Sequence, residues 1–138
     1  MGETLKIWWL TNGVVIEIID ESVQTSADSW TIKLAVKGTI EMKTTYIDDF
    51  QDNPDYLEIL SMLLPKAQYS RDIVKTEIKT ANVTAEKAFL LDIFARDALF
   101  YFEREDFPGR YVRMLYKEIE KEMSAKRAIN RKDSDEFL

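Results

Sequence analysis

The chain has 138 residues, of which 46% are hydrophobic and 32% are charged, and its formal net charge is −6. This composition is typical of a globular domain with one core of ordinary size, and the acidic charge opposes binding to nucleic acid or to anionic membranes. Histidine and cysteine are both absent. That absence excludes Ser–His and Cys–His nucleophilic sites, a histidine general base, and zinc sites built from thiolates or imidazoles.

No apolar run approaches the roughly 18 residues that a membrane span needs. The apolar run Ile7–Leu10 near the N-terminus is interrupted by Thr11-Asn12-Gly13, which is not typical of a signal peptide. We therefore expect a cytoplasmic protein that uses no cofactor, no membrane and no nucleic acid.

Two strands joined by a tight turn are the first predicted elements. Asn12-Gly13 is typical of a two-residue type I′ turn. Such a turn pairs Trp9 with Ile16, and it sets Trp8 opposite Glu17 on a half-exposed face. The predicted core face consists of alternate apolar residues: Leu5, Ile7, Trp9, Val14, Ile16 and Ile18.

Two further strands are predicted after a polar loop at residues 20–29. Alternation is clearest over Trp30–Val36, where every second residue is apolar. Gly38 suggests a second turn, and matching the apolar faces across it requires a three-residue loop at Lys37–Thr39. The next strand then covers Ile40–Tyr46. These four strands predict an antiparallel meander with one apolar face that must be covered.

A first helix is predicted from Asn53-Pro54, because asparagine is a good cap residue and proline favours the first helical position. Pro65 ends it. Residues 66–83 are ambiguous: the alternation around Val74 favours a fifth strand, and a short helix stays open as the alternative.

Two more helices complete the predicted elements. One runs from Thr84 to about Asp106 and is apolar around most of its circumference, so we expect it to be central or covered by a second subunit. Phe107-Pro108-Gly109 is predicted to break the chain there. The last helix then runs from about Arg110 to Arg127 or beyond.

The predicted fold class is α+β, with a four- or five-stranded antiparallel sheet (a β-meander) in the N-terminal half. Three helices from the C-terminal half are expected to pack on one sheet face. We predict a single domain over residues 1–126. The polar tail at residues 127–138 is expected to be frayed or disordered.

An acidic loop offers the first candidate site. Asp48, Asp49 and Asp52 supply carboxylates of the kind that bind Ca²⁺ or Mg²⁺. The spacing lacks the turn glycine and the closing glutamate of an EF-hand. The alternative is a solvated loop whose acidic groups favour the N-terminus of the following helix.

A basic stripe on the last helix is the second candidate. Its residues recur at helical spacing on the face opposite the apolar one: Arg110, Arg113, Lys117 and Lys121. Such a ridge suits phosphates, but glutamates flank it and the whole chain is acidic. We interpret it as a solvated helix face and predict no nucleic-acid site.

Surplus apolar surface is the strongest functional signal. Five residues are the candidates for binding a partner: Trp8, Glu17, Phe94, Phe100 and Tyr101. Exposed aromatic residues of this kind are typical of interfaces, although most tryptophans in small domains belong to the core.

Three functional hypotheses follow from these patterns. The first is a non-enzymatic interaction or assembly domain that binds a protein partner or forms a homo-oligomer. The second is an acidic inhibitor or immunity-type protein that binds a basic partner, with electrostatic steering by acids near residues 17–21 and 48–55. The third is a small carboxylate-dependent enzyme that binds Mg²⁺. The first hypothesis is the one we prefer, because the surplus apolar surface is the strongest functional signal and the absence of histidine and cysteine favours contact over chemistry.

Overall fold

A computed structural model of the chain describes residues 2–136, with side chains as far as residue 130. The chain divides into two compact units. The first comprises the chain up to Glu41 together with Ala67–Pro108, and the second comprises Met42–Lys66 together with the chain from Gly109 onward. The prediction of a single domain over residues 1–126 stays a prediction.

Within residues 2–136 the fold class is α+β, as predicted, with an antiparallel sheet in the N-terminal half and helices mostly in the C-terminal half. The strands are β1 (Glu3–Trp9), β2 (Val15–Asp20), β3 (Val23–Ser26), β4 (Ser29–Glu41) and β5 (Lys66–Ile78). The α-helices are α1 (Tyr56–Leu63), α2 (Val83–Ile93), α3 (Leu99–Phe102) and α4 (Phe107–Glu136).

The sheet keeps the spatial order of a meander. β1 pairs with β2, while β2, β3 and β5 all pair with β4. The register that pairs Val15 with Thr39 continues without a shift to the pair of Gln24 and Trp30. β2 and β3 therefore run along one edge of β4, and β5 takes the other edge. The ambiguous segment after residue 65 is thus a strand as far as Ile78.

The predicted loop at residues 20–29 is wrong, because β3 and the start of β4 lie within it. Between β2 and β3 the pairing is maintained by Glu21, whose amide donates to the Lys33 carbonyl at 2.8 Å. All four residues of β3 are exposed, so its polar sequence does not prevent strand pairing. The reversal is confined to the two residues between Ser26 and Ser29.

The predicted turn at Gly38 and the separate strand Ile40–Tyr46 are also wrong. β4 runs without interruption through Gly38, and a 3₁₀ segment, Thr44–Phe50, follows it. A Cβ atom at Gly38 would lie 3.0 Å from Tyr69 Cβ and 3.2 Å from Ile16 Cδ1. Glycine is therefore needed here for close packing and not for reversal of the chain.

The first hairpin has a different register from the predicted one. Leu10 and Val14 enclose a three-residue loop, in which the Gly13 amide donates to the Leu10 carbonyl at 3.1 Å. Gly13 has a φ of 87°, as expected at the left-handed position of such a loop. Trp8 is consequently opposite Ile16, and Trp9 is opposite Val15. This one-residue difference exchanges the two faces of β1.

The core of the first unit lies between one sheet face and the segment from α2 to α3. Ile16, Ile18 and Leu34 are completely buried on that face. Aromatic rings join the helical segment to the strands, since Trp8 packs on Phe94 with ring centroids 5.5 Å apart. Tyr69 of β5 meets Phe102 edge to face at 5.0 Å. The expected packing of helices on one sheet face thus applies to α2 and α3.

The long predicted helix from Thr84 to Asp106 is shorter and divided. It begins at Val83, contains a π-helical turn at Phe94–Ala98, and ends with α3 at Phe102. The predicted break at Phe107-Pro108-Gly109 is wrong, because these residues form the first turn of α4. Proline fits there since the first helical turn leaves its amides without partners inside the helix. Among the helices of the described part, none is long and apolar enough to cross a membrane.

The second unit packs α1 and the 3₁₀ segment on α4. Tyr116 of α4 is fully buried, and its ring stacks on Phe50 at 4.5 Å. The predicted helix start at Asn53-Pro54 is wrong, because Asn53 forms an Asx turn in which its Oδ1 accepts the Asp55 amide at 2.8 Å, and α1 starts only at Tyr56. Its end before Pro65 is as predicted. α4 continues to Glu136. The expected fraying from residue 127 stays a prediction, and its last two residues lie outside the described part.

Candidate functional site

One face of the sheet in the first unit carries the best candidate site. Trp8 contacts Phe94 on the helical side, and successive residues of a strand point to opposite faces. Trp9 therefore points away from α2 and α3, and 74% of it is exposed. The strand register places further residues on the same side of the sheet as Trp9, and this side is called the open sheet face below. Its residues are Ile7, Trp9, Val15, Glu17, Ile19, Ala35, Lys37 and Thr39.

The open sheet face changes from apolar to charged across the sheet. Ile7, Trp9 and Val15 form its apolar part on β1 and β2. Glu17 is directly opposite Lys37 of β4, so an acidic and a basic residue are cross-strand neighbours. Lys37 Nζ donates to Ser70 Oγ of β5 at 2.8 Å. The face therefore combines an exposed aromatic anchor with charges of both signs.

The five predicted partner-binding residues do not form one surface, although Trp8 and Phe94 are in contact. Glu17 lies on the open sheet face, whereas Trp8 is half-buried on the opposite face. Phe94 is only 6% exposed, so its ring belongs to the core of this unit. Phe100 and Tyr101 are 71% and 56% exposed on α3.

Trp9 is the residue that the sequence reasoning missed. The signal that would have found it is the loop length, since a three-residue loop closed by Gly13 places Trp9, and not Trp8, on the open face. Apolar residues of β1 lie opposite apolar residues of β2 both with a two-residue loop and with a three-residue loop. The sequence of β1 alone therefore does not decide between the two tryptophans.

One residue of the acidic loop forms an ion pair within the second unit. Arg113 holds both carboxylate oxygens of Asp49, at 2.5 and 2.9 Å. The hydrogen bond from this guanidinium is the main reason that the pKa of Asp49 lies below its usual range. Across the side chains that the structure describes, no group of three or more acidic residues is arranged to hold a metal ion. The geometry thus gives Asp49 a structural partner, and Asp48 and Asp52 are exposed beside it.

The basic stripe of α4 lines an open groove of about 470 Å³. Arg113 forms an ion pair with Asp49, and its guanidinium carbon lies 4.6 Å from the ring centre of Phe50. Lys117 Nζ lies 5.9 Å from the same ring. These contacts are consistent with the interpretation of the stripe as a helix surface whose cations are partly used in packing.

The hydroxyl group of Tyr116 is buried without a hydrogen-bond partner in the described part of the chain. Burial raises the pKa of this phenol, and the carboxylate of Glu120 adds to the effect. Tyr116 therefore stays protonated at neutral pH. It is fully inaccessible to solvent, so it is not a candidate for contact with a substrate.

No protein-family model, no curated protein and no solved structure matches the chain.

Proposed function

We propose that this protein is a non-enzymatic assembly domain that associates with a second copy of itself through the open sheet face. The observation that carries the proposal is the 74% exposure of Trp9 on a face where its neighbours are Ile7 and Val15. Tryptophan is enriched among the residues that dominate binding energy at interfaces. An exposed tryptophan within an apolar patch therefore favours contact with another protein surface.

The apolar part of the open sheet face supplies the driving force. A tryptophan covers about 150–250 Å² when it is buried in an interface. At about 25 cal/mol per Å², covering the exposed part of Trp9 contributes roughly 3 kcal/mol per copy before the entropic cost of association. Ile7, Val15 and Ile19 are half-buried already and extend the surface that becomes covered.

The charged part of the face favours a second copy over an unrelated partner. A two-fold symmetric dimer brings the same surface patch together from both copies, so the patch must complement itself. Glu17 and Lys37 are adjacent, and a two-fold axis near them sets Glu17 of each copy against Lys37 of the other. The net charge of −6 opposes association. Salt screens this repulsion and also the attraction between Glu17 and Lys37, so its net effect depends on which of the two is larger.

Sedimentation velocity between 10 µM and 1 mM protein, roughly the range of weak homodimers, tests the proposal. We expect the native chain to dimerise across this range and Trp9→Ala to stay monomeric. Leu57→Ala is the matched control, because Leu57 is 76% exposed and lies in the other unit. A native chain that stays monomeric, or a Trp9→Ala chain that dimerises like the native one, would contradict the proposal.

A charge exchange tests the symmetric arrangement. Glu17→Lys and Lys37→Glu should each weaken the dimer, because each places like charges against each other across the axis. The double variant restores opposite charges and should recover most of the affinity. Failure of the double variant to recover while it remains folded by circular dichroism would contradict the pairing of Glu17 with Lys37.

The two alternative functions stay hypotheses with less support. An acidic inhibitor would require free carboxylates near residues 48–55, and pairing of Asp49 and Asp55 with Arg113 and Arg127 leaves Asp48 and Asp52 for that role. The carboxylate-dependent enzyme would need the same Asp49.

A further inference from the structure

A second feature of the first unit lies on the helical side of the sheet, away from the open sheet face. A cavity of about 200 Å³ opens between β4, β5 and the segment that follows α2. Most of its walls are apolar and come from β4, β5, α2 and the start of the π-helical turn: Val36, Ile73, Leu90, Ile93 and Phe94. The cavity lies entirely within one compact unit.

The π-helical turn at Phe94–Ala98 forms one side of this cavity. Phe94 and Ala98, the two ends of the turn, both line it. A π-helical turn inserts one extra residue into a helix and widens it locally, and such turns occur frequently at ligand sites. The extra residue therefore lies in the part of the helix that forms this side of the cavity.

The cavity is lined by one charged group of each sign. Arg71 lines it from β5, two residues before Ile73 and on the same strand face. Within the residues whose side chains are described, Arg71 forms no ion pair. Asp97 also lines the cavity, and its Oδ1 lies 3.1 Å from Arg96 Nε, so this carboxylate has a cationic partner of its own.

We propose that this cavity binds a small monocarboxylic acid, with the apolar tail enclosed by the walls and the carboxylate held by Arg71. Arginine presents two parallel N–H groups that match the geometry of a carboxylate. The volume is below the roughly 300–1,000 Å³ of pockets for drug-sized ligands, so the tail is limited to a short alkyl chain or a single ring. This site is independent of the proposed dimer, because Val36 and the open sheet face lie on opposite sides of β4.

Titration with hexanoate, followed by ¹H–¹⁵N correlation spectra, tests the site. We expect saturable shifts of the amides of Phe94–Ala98 and of Ile73. 1-Hexanol is the matched probe without charge, and it should bind at least about ten-fold more weakly, as for the loss of a charge-assisted hydrogen bond. No saturable shift with hexanoate, or equal binding of 1-hexanol, would overturn the proposal.

Two variants separate binding at this cavity from binding elsewhere. Arg71→Gln should weaken hexanoate about ten-fold or more, whereas Arg104→Gln removes the same charge outside the cavity and should leave binding unchanged. Ala98→Leu places extra atoms in the cavity and should abolish the shifts. Equal affinity of Arg71→Gln and the native chain would overturn the role of Arg71, and unchanged binding by a folded Ala98→Leu chain would overturn the location.

Discussion

The side chain of Asn12 joins the tip of the first hairpin to the end of α3. Its Nδ2 donates to the carbonyls of Phe102, at 2.7 Å, and Arg104, at 2.8 Å. Its Oδ1 accepts the Val14 amide at 3.2 Å. The last carbonyls of a helix have no partner within the helix, so these bonds satisfy groups that would otherwise need water. One residue thereby stabilises both the loop and the helix end.

Replacement of Asn12 by aspartate keeps the shape and removes both donors. We expect Asn12→Asp to lower the free energy of unfolding by about 1–3 kcal/mol, because a carboxylate then faces two carbonyl oxygens. Denaturant unfolding measures this loss. Asn82→Asp is the control, since the side chain of Asn82 is exposed and, although it precedes α2, makes no capping hydrogen bond; equal losses in both variants would contradict the role of Asn12.

Trp8 and Trp9 are neighbours with opposite environments. Trp8 packs on Phe94, whereas Trp9 is 74% exposed. We expect Trp8→Ala to destabilise the fold by about 2 kcal/mol, since a half-buried aromatic contact is lost. Trp9→Ala should change the stability of the monomer by less than about 0.5 kcal/mol, as is usual for exposed positions. Thermal unfolding at low protein concentration compares them, and the reverse order would show that the register of β1 is wrong.

At the scale of elements, the helical segment from Val83 to Phe102 depends on its π-helical turn. The extra residue rotates α3 by about 100° relative to an unbroken α-helix. That rotation directs Phe102 between Tyr69 and Phe107, with ring centroids 5.0 and 5.1 Å away. Phe102 is 4% exposed in this position. The turn thus decides which side of α3 contributes to the core.

Deletion of Ala95 should convert the π-helical turn into regular α-helix. We expect the deletion to cost at least about 3 kcal/mol, comparable to loss of a buried phenylalanine, because Phe102 then leaves its site. Ala95→Ser is the control and should stay within about 1 kcal/mol of the native chain, since Ala95 is exposed. A deletion variant with the native unfolding midpoint in circular dichroism would show that the turn is not needed for packing.

At the scale of the whole molecule, acidic groups paired with cations set the response to pH. Arg113 and Arg127 lower the pKa of Asp49 and Asp55 through hydrogen bonds. Burial raises the pKa of Asp20, but hydrogen bonds from Lys87 and Ser22 outweigh it and the net pKa is lowered. A carboxyl group whose pKa is lower in the folded state stabilises the fold above its unfolded pKa. That contribution is lost as the pH falls through the folded value.

We therefore expect the free energy of unfolding to be flat between about pH 5 and pH 9 and to fall below about pH 4. The flat region follows because the chain has no histidine or cysteine side chain to titrate there. Denaturant unfolding from pH 2 to pH 9 measures the profile. Asp20→Asn should reduce the acid slope; an unchanged slope in this variant, or a transition near pH 6.5, would contradict this account.

Much of the fold follows from local pattern. The period-two alternation of Trp30–Val36 and the helical spacing of residues 56–64 and 110–123 are properties of the sequence, and they predict the α+β class directly. The absence of histidine and cysteine likewise limits the available chemistry without reference to any structure. Periodicity reports which residues are able to share a face, because that depends only on neighbours in the chain.

Only the tertiary structure decided which face of β1 is covered and where β4 ends. Asn12 bonds to α3, some 90 residues away in sequence, and this favours the three-residue loop that turns Trp9 outward. Gly38 packs against Tyr69 of β5 and stays within a strand. The register of β1 and the end of β4 both depend on partners that are distant in the chain. The period-two pattern of the sequence is therefore compatible with the predicted arrangement as well as with the observed one. The candidate surface around Trp9 differs from the predicted one for that reason.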